Sequence, residues 1–265
     1  MSSPPPTVWL VGAGPGDPEL LTRKAHRVLT QATLVLVDDL VSPGVLALLP
    51  DSCRVIRVGK RGGKPSTEQA FIQKLMVQAA WAGEQVVRLK GGDPFLFGRG
   101  AEEWLHLHHH GIAVEVVNGL SAGQALTGEL QLSLTHRDHA HGVIWITGHG
   151  QAHTRAINWA QVGQTAVDAK LTLVIYMGMM QGAHIAQDLS QTMPSSTPVL
   201  FVEWVSHPQQ RHVLTDLCHW ESTVKAHQLA SPCMIVVGHV VSGWAALQQA
   251  GETTNALMRK FSASD

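Results

Sequence analysis

Cysteine is scarce in this 265-residue chain: Cys53, Cys218 and Cys233 are its whole complement. Their odd number and wide spacing exclude a disulfide framework and a CxxC metal or redox site, and fit a reducing cytoplasm. Net charge is also missing. Nineteen Lys and Arg against twenty Asp and Glu leave a formal charge of -1, so no global field draws in nucleic acid or an anionic membrane. No basic stripe with interleaved aromatics marks an RNA surface. Nor does any apolar run approach a membrane span, and the opening MSSPPPT lacks the charged and apolar regions of a secretory signal. The expectation is a cytoplasmic protein with neither nucleic acid nor membrane as partner. Sixteen histidines raise the question of a metal, above all His108, His109 and His110 and the run THRDHAH from Thr135. Adjacent helical residues point in different directions, and no HExxH or Cys/His spacing accompanies them, so no metal site is expected. A Ser-His-Asp or reactive-cysteine signature is missing too.

What is present is enough apolar material, 45% of the chain against 15% charged, to bury a substantial core. In the first half, short runs rich in Val, Leu and Ile alternate with helix-length segments. The runs are TVWLVG from Thr7, ATLVLVD from Ala32, CRVIRVG from Cys53, EQVVRLKG from Glu84 and IAVEVVNG from Ile112. The segment STEQAFIQKLMVQAAWAG typifies the helices, with Ser66 or Thr67 to cap it and Gly83 to stop it. This is a parallel α/β pattern. After VVNGLSAG the runs GVIWITG, LTLVIYMG, TPVLFVEW, QRHVLTDL and SPCMIVVGHVV follow one another more directly, as in a mixed sheet. The expected boundary lies near Asn118, dividing an α/β domain of residues 1–117 from a second α/β domain of residues 118–265. The polar tail after Gly251 is expected to fray.

Two glycine-rich stretches follow strand-like runs. In VWLVGAGPGDPELLT, glycines Gly12, Gly14 and Gly16 are spaced GxGxG and not GxGxxG. Pro15 removes an N–H that a pyrophosphate would use, and Asp17 sets a negative charge where phosphate would sit. In RLKGGDPFLFGRGAEE, Gly91 and Gly92 permit close backbone approach, and Asp93 adds a carboxylate that repels phosphate. That carboxylate can accept hydrogen bonds from ribose hydroxyls or pair with an amino group. The ligand suggested is nucleoside-like, with hydroxyls or a cation and no phosphate chain; S-adenosylmethionine meets that description.

The motifs LVGAGPGDPELLT, DDLVSP, VGKRGG, VVRLKGGDPFLFGRGAEE, SLTHRD, TGH, YMG and SPCMIVVG resemble, in order, those of the tetrapyrrole methylase family, and specifically its uroporphyrinogen-III C-methyltransferases. The resemblance spans roughly Val8 to Val241. It implies two α/β domains, a parallel one followed by a mixed-sheet one, with S-adenosylmethionine in the cleft between them, usually in a homodimer. By motif, the implied cofactor contacts are Pro15, Gly91, Gly92, Asp93, Leu96, Ser121, Ala122, Met177 and Val205. The implied acid/base groups are Asp38 and Lys60. Read from composition alone, Asp38 is a helix cap for the segment after Val41, Lys60 a solvated loop charge and Met177 ordinary core.

The implied reaction moves methyl groups from S-adenosylmethionine to C2 and C7 of uroporphyrinogen III, giving precorrin-2 and S-adenosylhomocysteine. It needs no metal and no covalent nucleophile. The substrate carries eight carboxylates, so Arg61, Lys64, Arg99 and Arg137, on or beside motif loops, are the candidate anchors. Some positions depart from the family pattern. YDRLVS becomes VDDLVS, with Val37 for an aromatic and Asp39 for an arginine; PGxTS becomes NGLSA, with Asn118 and Ser121; GGRHST becomes GGKPST, with Pro65 for histidine. An aspartate at position 39 would repel a polycarboxylate unless it points away or is neutralised. The alternatives to this activity are a methylase for a later corrinoid intermediate and a cofactor-binding protein without turnover.

Overall fold

Every apolar run named above forms a strand. The computed structural model describes residues 5–59, 69–149 and 157–248. Lys60, Arg61, Lys64, Pro65, Ser66, Thr67 and the tail after Gly251 lie outside them. The chain divides into two compact units between Ala125 and Leu126.

The first unit holds a parallel sheet of β1 (Thr7–Gly12), β2 (Leu34–Val37), β3 (Arg54–Arg57), β4 (Val86–Lys90) and β5 (Ala113–Val117), in the order β3-β2-β4-β1-β5. The connecting helices are α1 (Arg23–Leu29), α2 (Pro43–Leu46), α3 (Gln69–Trp81) and α4 (Gly100–His109). Because strand side chains alternate in direction, the sheet buries both faces. Val11, Val35, Val37 and Leu89 pack with Ala25, Val28, Leu29 and Val45 of α1 and α2. Val8, Leu10, Leu34, Leu36 and Val86 pack with Ile72, Met76 and Leu107 of α3 and α4. After α3, Gly83 turns the chain at a φ of 84°, a left-handed conformation that glycine adopts without steric cost. Helix α5 (Ala122–Leu130) follows β5.

The second unit holds a mixed sheet of β6 (Gly142–Thr147), β7 (Leu171–Tyr176), β8 (Pro198–Glu203), β9 (Arg211–Asp216) and β10 (Cys233–Val237), ordered β6-β7-β10-β8-β9. Only β6 and β7 pair in parallel; β10 runs antiparallel to both β7 and β8. The carboxyl ends of β6, β7 and β8 therefore share one edge of the sheet. Helices α6 (Trp159–Asp168), α7 (Gly182–Leu189) and α8 (Trp220–Ala226) cover it through Trp159, Ile185, Leu189 and Trp220. The Trp220 ring meets Phe201 edge to face, with centroids 5.0 Å apart.

Candidate active site

All five strands of the first sheet point the same way, so the loops that follow them gather at one edge. Open α/β sheets bind ligands outside that edge, where strand order reverses. Here β1 lies between β4 and β5, and the loops after these three strands touch through bare backbone. A Cβ on Gly12 would lie 2.6 Å from both the Gly119 nitrogen and the Gly92 oxygen, closer than any side chain allows. Gly14 and Gly92 exchange backbone hydrogen bonds at 3.2 and 2.8 Å, and Gly92 takes a φ of 69°. Pro15 is buried in the same loop. The Ser42 hydroxyl donates to the Gly16 carbonyl at 2.5 Å, tying the loop after β1 to the one after β2.

Asp93 fastens this floor. Its Oδ1 accepts from the Phe95 amide at 2.8 Å, and its Oδ2 accepts from the Gly119 amide and the Asn118 side chain, both at 3.1 Å. Asn118, which stands where the family pattern has proline, thus supplies a donor to Asp93. Ser121 is buried, Ala122 and Leu96 half-buried, and a Cβ on Gly92 would sit 3.7 Å from the Ser121 Cα. The structure gathers Pro15, Gly91, Gly92, Asp93, Ser121 and Ala122 at this edge.

Asp38 ends β2 at the same edge, its side chain 29% exposed. It caps nothing. The cap of α2 is Ser42, whose hydroxyl accepts from the Val45 amide at 3.3 Å, which corrects the composition-based reading. Asp38 Oδ1 instead accepts from Arg88, and Oδ2 lies 3.9 Å from the Lys90 ammonium. Both cations are buried in β4, and both also pair with the fully buried Glu103 of α4: Arg88 Nε to Oε1 at 3.0 Å and Lys90 Nζ to Oε2 at 3.1 Å. Burial, then the neighbouring Arg88 guanidinium, pull the Lys90 ammonium below the usual lysine range. For Arg88, burial pulls downward, but Asp38 and Glu103 more than offset it. Among the described residues, the cations beside the glycine floor, Arg88 and Lys90, are neutralised from within and are not free to pair with a phosphate. That suits a sulfonium with ribose hydroxyls and not a phosphate chain.

Motif reading did not single out Arg88, Lys90 and Glu103. The available signal was two cations spaced i, i+2 within VVRLK, hence on one face of a strand that a parallel sheet buries on both sides. Asp39 packs its carboxyl against Gly59 with Oδ2 shielded from solvent, so that oxygen does not project as a repelling charge. Arg99 is not a free anchor: at a φ of 57° it forms a two-pronged pair with Glu102, Nε to Oε1 at 3.0 Å. Arg137 is exposed in the turn between His136 and Ala140.

In the second unit, Met177 follows β7 at a φ of 53° and is 47% exposed, so it is not the core residue its composition suggested. The strand stops at Tyr176 and the turn lifts the next side chain out of the sheet. Val205 is buried after β8, between Trp204 and Ser206 at φ values of 53° and 62°. Left-handed backbone at non-glycine residues is costly and clusters at functional turns. Among the described residues, Asp216, Cys218 and His219 place ligand-type atoms close together. Asp216 Oδ1 is engaged there, accepting from the His219 amide at 3.0 Å just before α8.

A family model described as Tetrapyrrole (Corrin/Porphyrin) Methylases matches residues 7–219. The chain belongs to this family. It is 45% identical to uroporphyrinogen-III C-methyltransferase of Pseudomonas aeruginosa, over 88% of this chain and 93% of that one. It is also 45% identical to siroheme synthase 2 of Aeromonas salmonicida, over 89% of this chain and 48% of that one. The chain thus spans about half the length of the siroheme synthases it matches. Among solved structures, uroporphyrin-III C-methyl transferase of Thermus thermophilus, complexed with S-adenyl homocysteine, superposes with a TM-score of 0.75 at 39% identity. That match covers 89% of this chain and 99% of the other. The expected fold class, a parallel α/β sheet followed by a mixed one, is the fold observed.

Proposed function

We propose that this methylase transfers methyl groups from S-adenosylmethionine to uroporphyrinogen III at C2 and C7, giving precorrin-2. The observation that carries this reading is the glycine floor of the first sheet, fastened by Asp93, with the Asp38 carboxylate at the neighbouring strand end. The names of the full-length relatives support the substrate class. When bound, S-adenosylmethionine supplies a methyl group on a sulfonium. The bare backbone of Gly91 and Gly92 lets a nucleoside approach closely, and Pro15, Leu96, Ser121 and Ala122 border that surface. Met177 presents an exposed thioether at its own strand end, whereas Val205, buried, contributes backbone. Holding reactants in line accounts for much of such a catalyst's effect. Attack by a pyrrole carbon leaves a cationic macrocycle that must lose a proton, and Asp38 accepts it at Oδ2 or offsets the charge. Lys60, Arg61 and Lys64, outside the described residues, are the proposed donor and carboxylate anchors. Arg137 joins them, as does Arg99 once it exchanges Glu102 for a substrate carboxylate.

We place the chain in the cytoplasm, which suits the free thiols of Cys53, Cys218 and Cys233, and take the homodimer from the family resemblance. Burial pushes the Cys233 thiol up to about 12, which suits an inert core residue. No helix among the described residues is long and apolar enough to cross a membrane. No nucleic acid and no metal enter the reaction as proposed. We place the domain boundary near Asn118, where β5 ends, with α5 as the connection into the second unit.

Anaerobic incubation with uroporphyrinogen III and methyl-labelled S-adenosylmethionine tests the activity. Two labels on the macrocycle are expected; no label above an enzyme-free control overturns it. Asp38→Asn and Lys60→Ala should each lower kcat by about 100-fold or more, the usual range for a lost acid/base group. Unchanged rates remove them from that role.

A further inference from the structure

The two cations and the carboxylate behind Asp38 take no direct part in the proposed methyl transfer. Arg88 and Lys90 stand side by side on the face of β4 that α3 and α4 cover, 2% and 3% exposed. Glu103 is fully buried between them, and Gln69 of α3 donates to its Oε1 at 3.0 Å. Only Asp38 reaches solvent. The four charged side chains sum to zero, and removing any one of them leaves an uncompensated charge in a buried setting, which is costly. Stability alone is a weak reason for such a cluster, because apolar side chains of similar volume hold a core at least as well.

We propose that Arg88, Lys90 and Glu103 are positioning residues that fix the Asp38 carboxylate at the sheet edge and set its proton affinity through their summed charge. Arg88 fixes geometry: its Nη1 donates to the Leu36 and Leu89 carbonyls at 3.3 and 3.2 Å, so the guanidinium that binds Asp38 is itself held by the sheet. Lys90 and Glu103 set the charge. The inference rests on Asp38 acting as a proton acceptor.

The test is the pH dependence of kcat/KM for methyl transfer. Its acidic limb follows ionisation of the acceptor. Lys90→Met removes a cation 3.9 Å from Asp38 and should move that limb up by about one pH unit. Glu103→Gln leaves both cations acting on Asp38 alone and should move the limb down. The double variant restores neutrality and should return the limb to within a few tenths of a unit of wild type. A limb that stays put in both single variants, or moves the same way in both, overturns the proposal, since packing damage alone gives no opposed displacements. Should a single variant fail to fold, as judged by circular dichroism, the wild-type protein answers through 13C-labelled aspartate. The Asp38 carboxyl resonance, assigned with Asp38→Asn, must respond a second time at the alkaline pH where Lys90 releases its proton. A single inflection sinks the idea. That titration needs no turnover, so it judges the charge array even if the proposed methyl transfer itself fails.

Discussion

Two buried glutamates, one in each unit, are anchored by arginine in opposite ways. Glu203, at the end of β8, receives Arg211 on Oε2 and the Ala230 amide on Oε1 at 2.6 Å. Its partner Arg211 is half-exposed and also donates to the Gln228 carbonyl at 3.2 Å. That arrangement closes on itself: it pins one loop, and its cation keeps water within reach. Glu103 meets two cations that are both buried, and the second negative charge they require is Asp38 at the sheet edge. One glutamate fastens a loop; the other is half of an array whose remaining half faces the candidate site.

Removing charge from each should expose the difference. Glu103→Gln leaves two buried cations with one anion between them, and urea unfolding at pH 7 should record a loss of about 3–5 kcal/mol. Glu203→Gln should cost about 1–3 kcal/mol, because Gln still accepts the Ala230 amide and Arg211 can turn to solvent; methyl transfer should stay within about two-fold of wild type. Equal losses from the two variants would erase the distinction. Arg99→Ala should cost less than about 0.5 kcal/mol at pH 7, since the pair it breaks is exposed and screened. The Arg99 hydrogen bond holds the Glu102 carboxyl below its ordinary value. That small contribution is therefore present above the unfolded carboxylate pKa, about 4.3, and is lost as pH falls through the lower folded value. A stability difference between wild type and Arg99→Ala that grows on acidification would contradict the assignment.

The strands were legible because each is a dense run of Val, Leu and Ile closed by Gly, Asp or a polar residue. TVWLVG reproduces β1 to the residue. The order β3-β2-β4-β1-β5 was not legible, since it depends on pairings such as Val8 with Val86, far apart in sequence. The glycine turns and Asp93 declared themselves by spacing. Asp38 needed its motif, and even then its partners stayed hidden: Arg88 and Lys90 read as strand residues, Glu103 as one more surface glutamate of a helix. What joins them is the packing of α3 and α4 on one face of the sheet, which no local pattern encodes. Met177 failed the other way, for an apolar side chain after an apolar strand reads as core until the left-handed turn after Tyr176 is seen.

The contact of Gly12, Gly92 and Gly119 also limits how this molecule can vary. The loops after β1, β4 and β5 meet at a point with no side chain to yield, so a change of length or residue in one must be matched by the others. They behave as a single inherited part. Exchanging one of them alone with another methylase should fail where transplanting all three together succeeds.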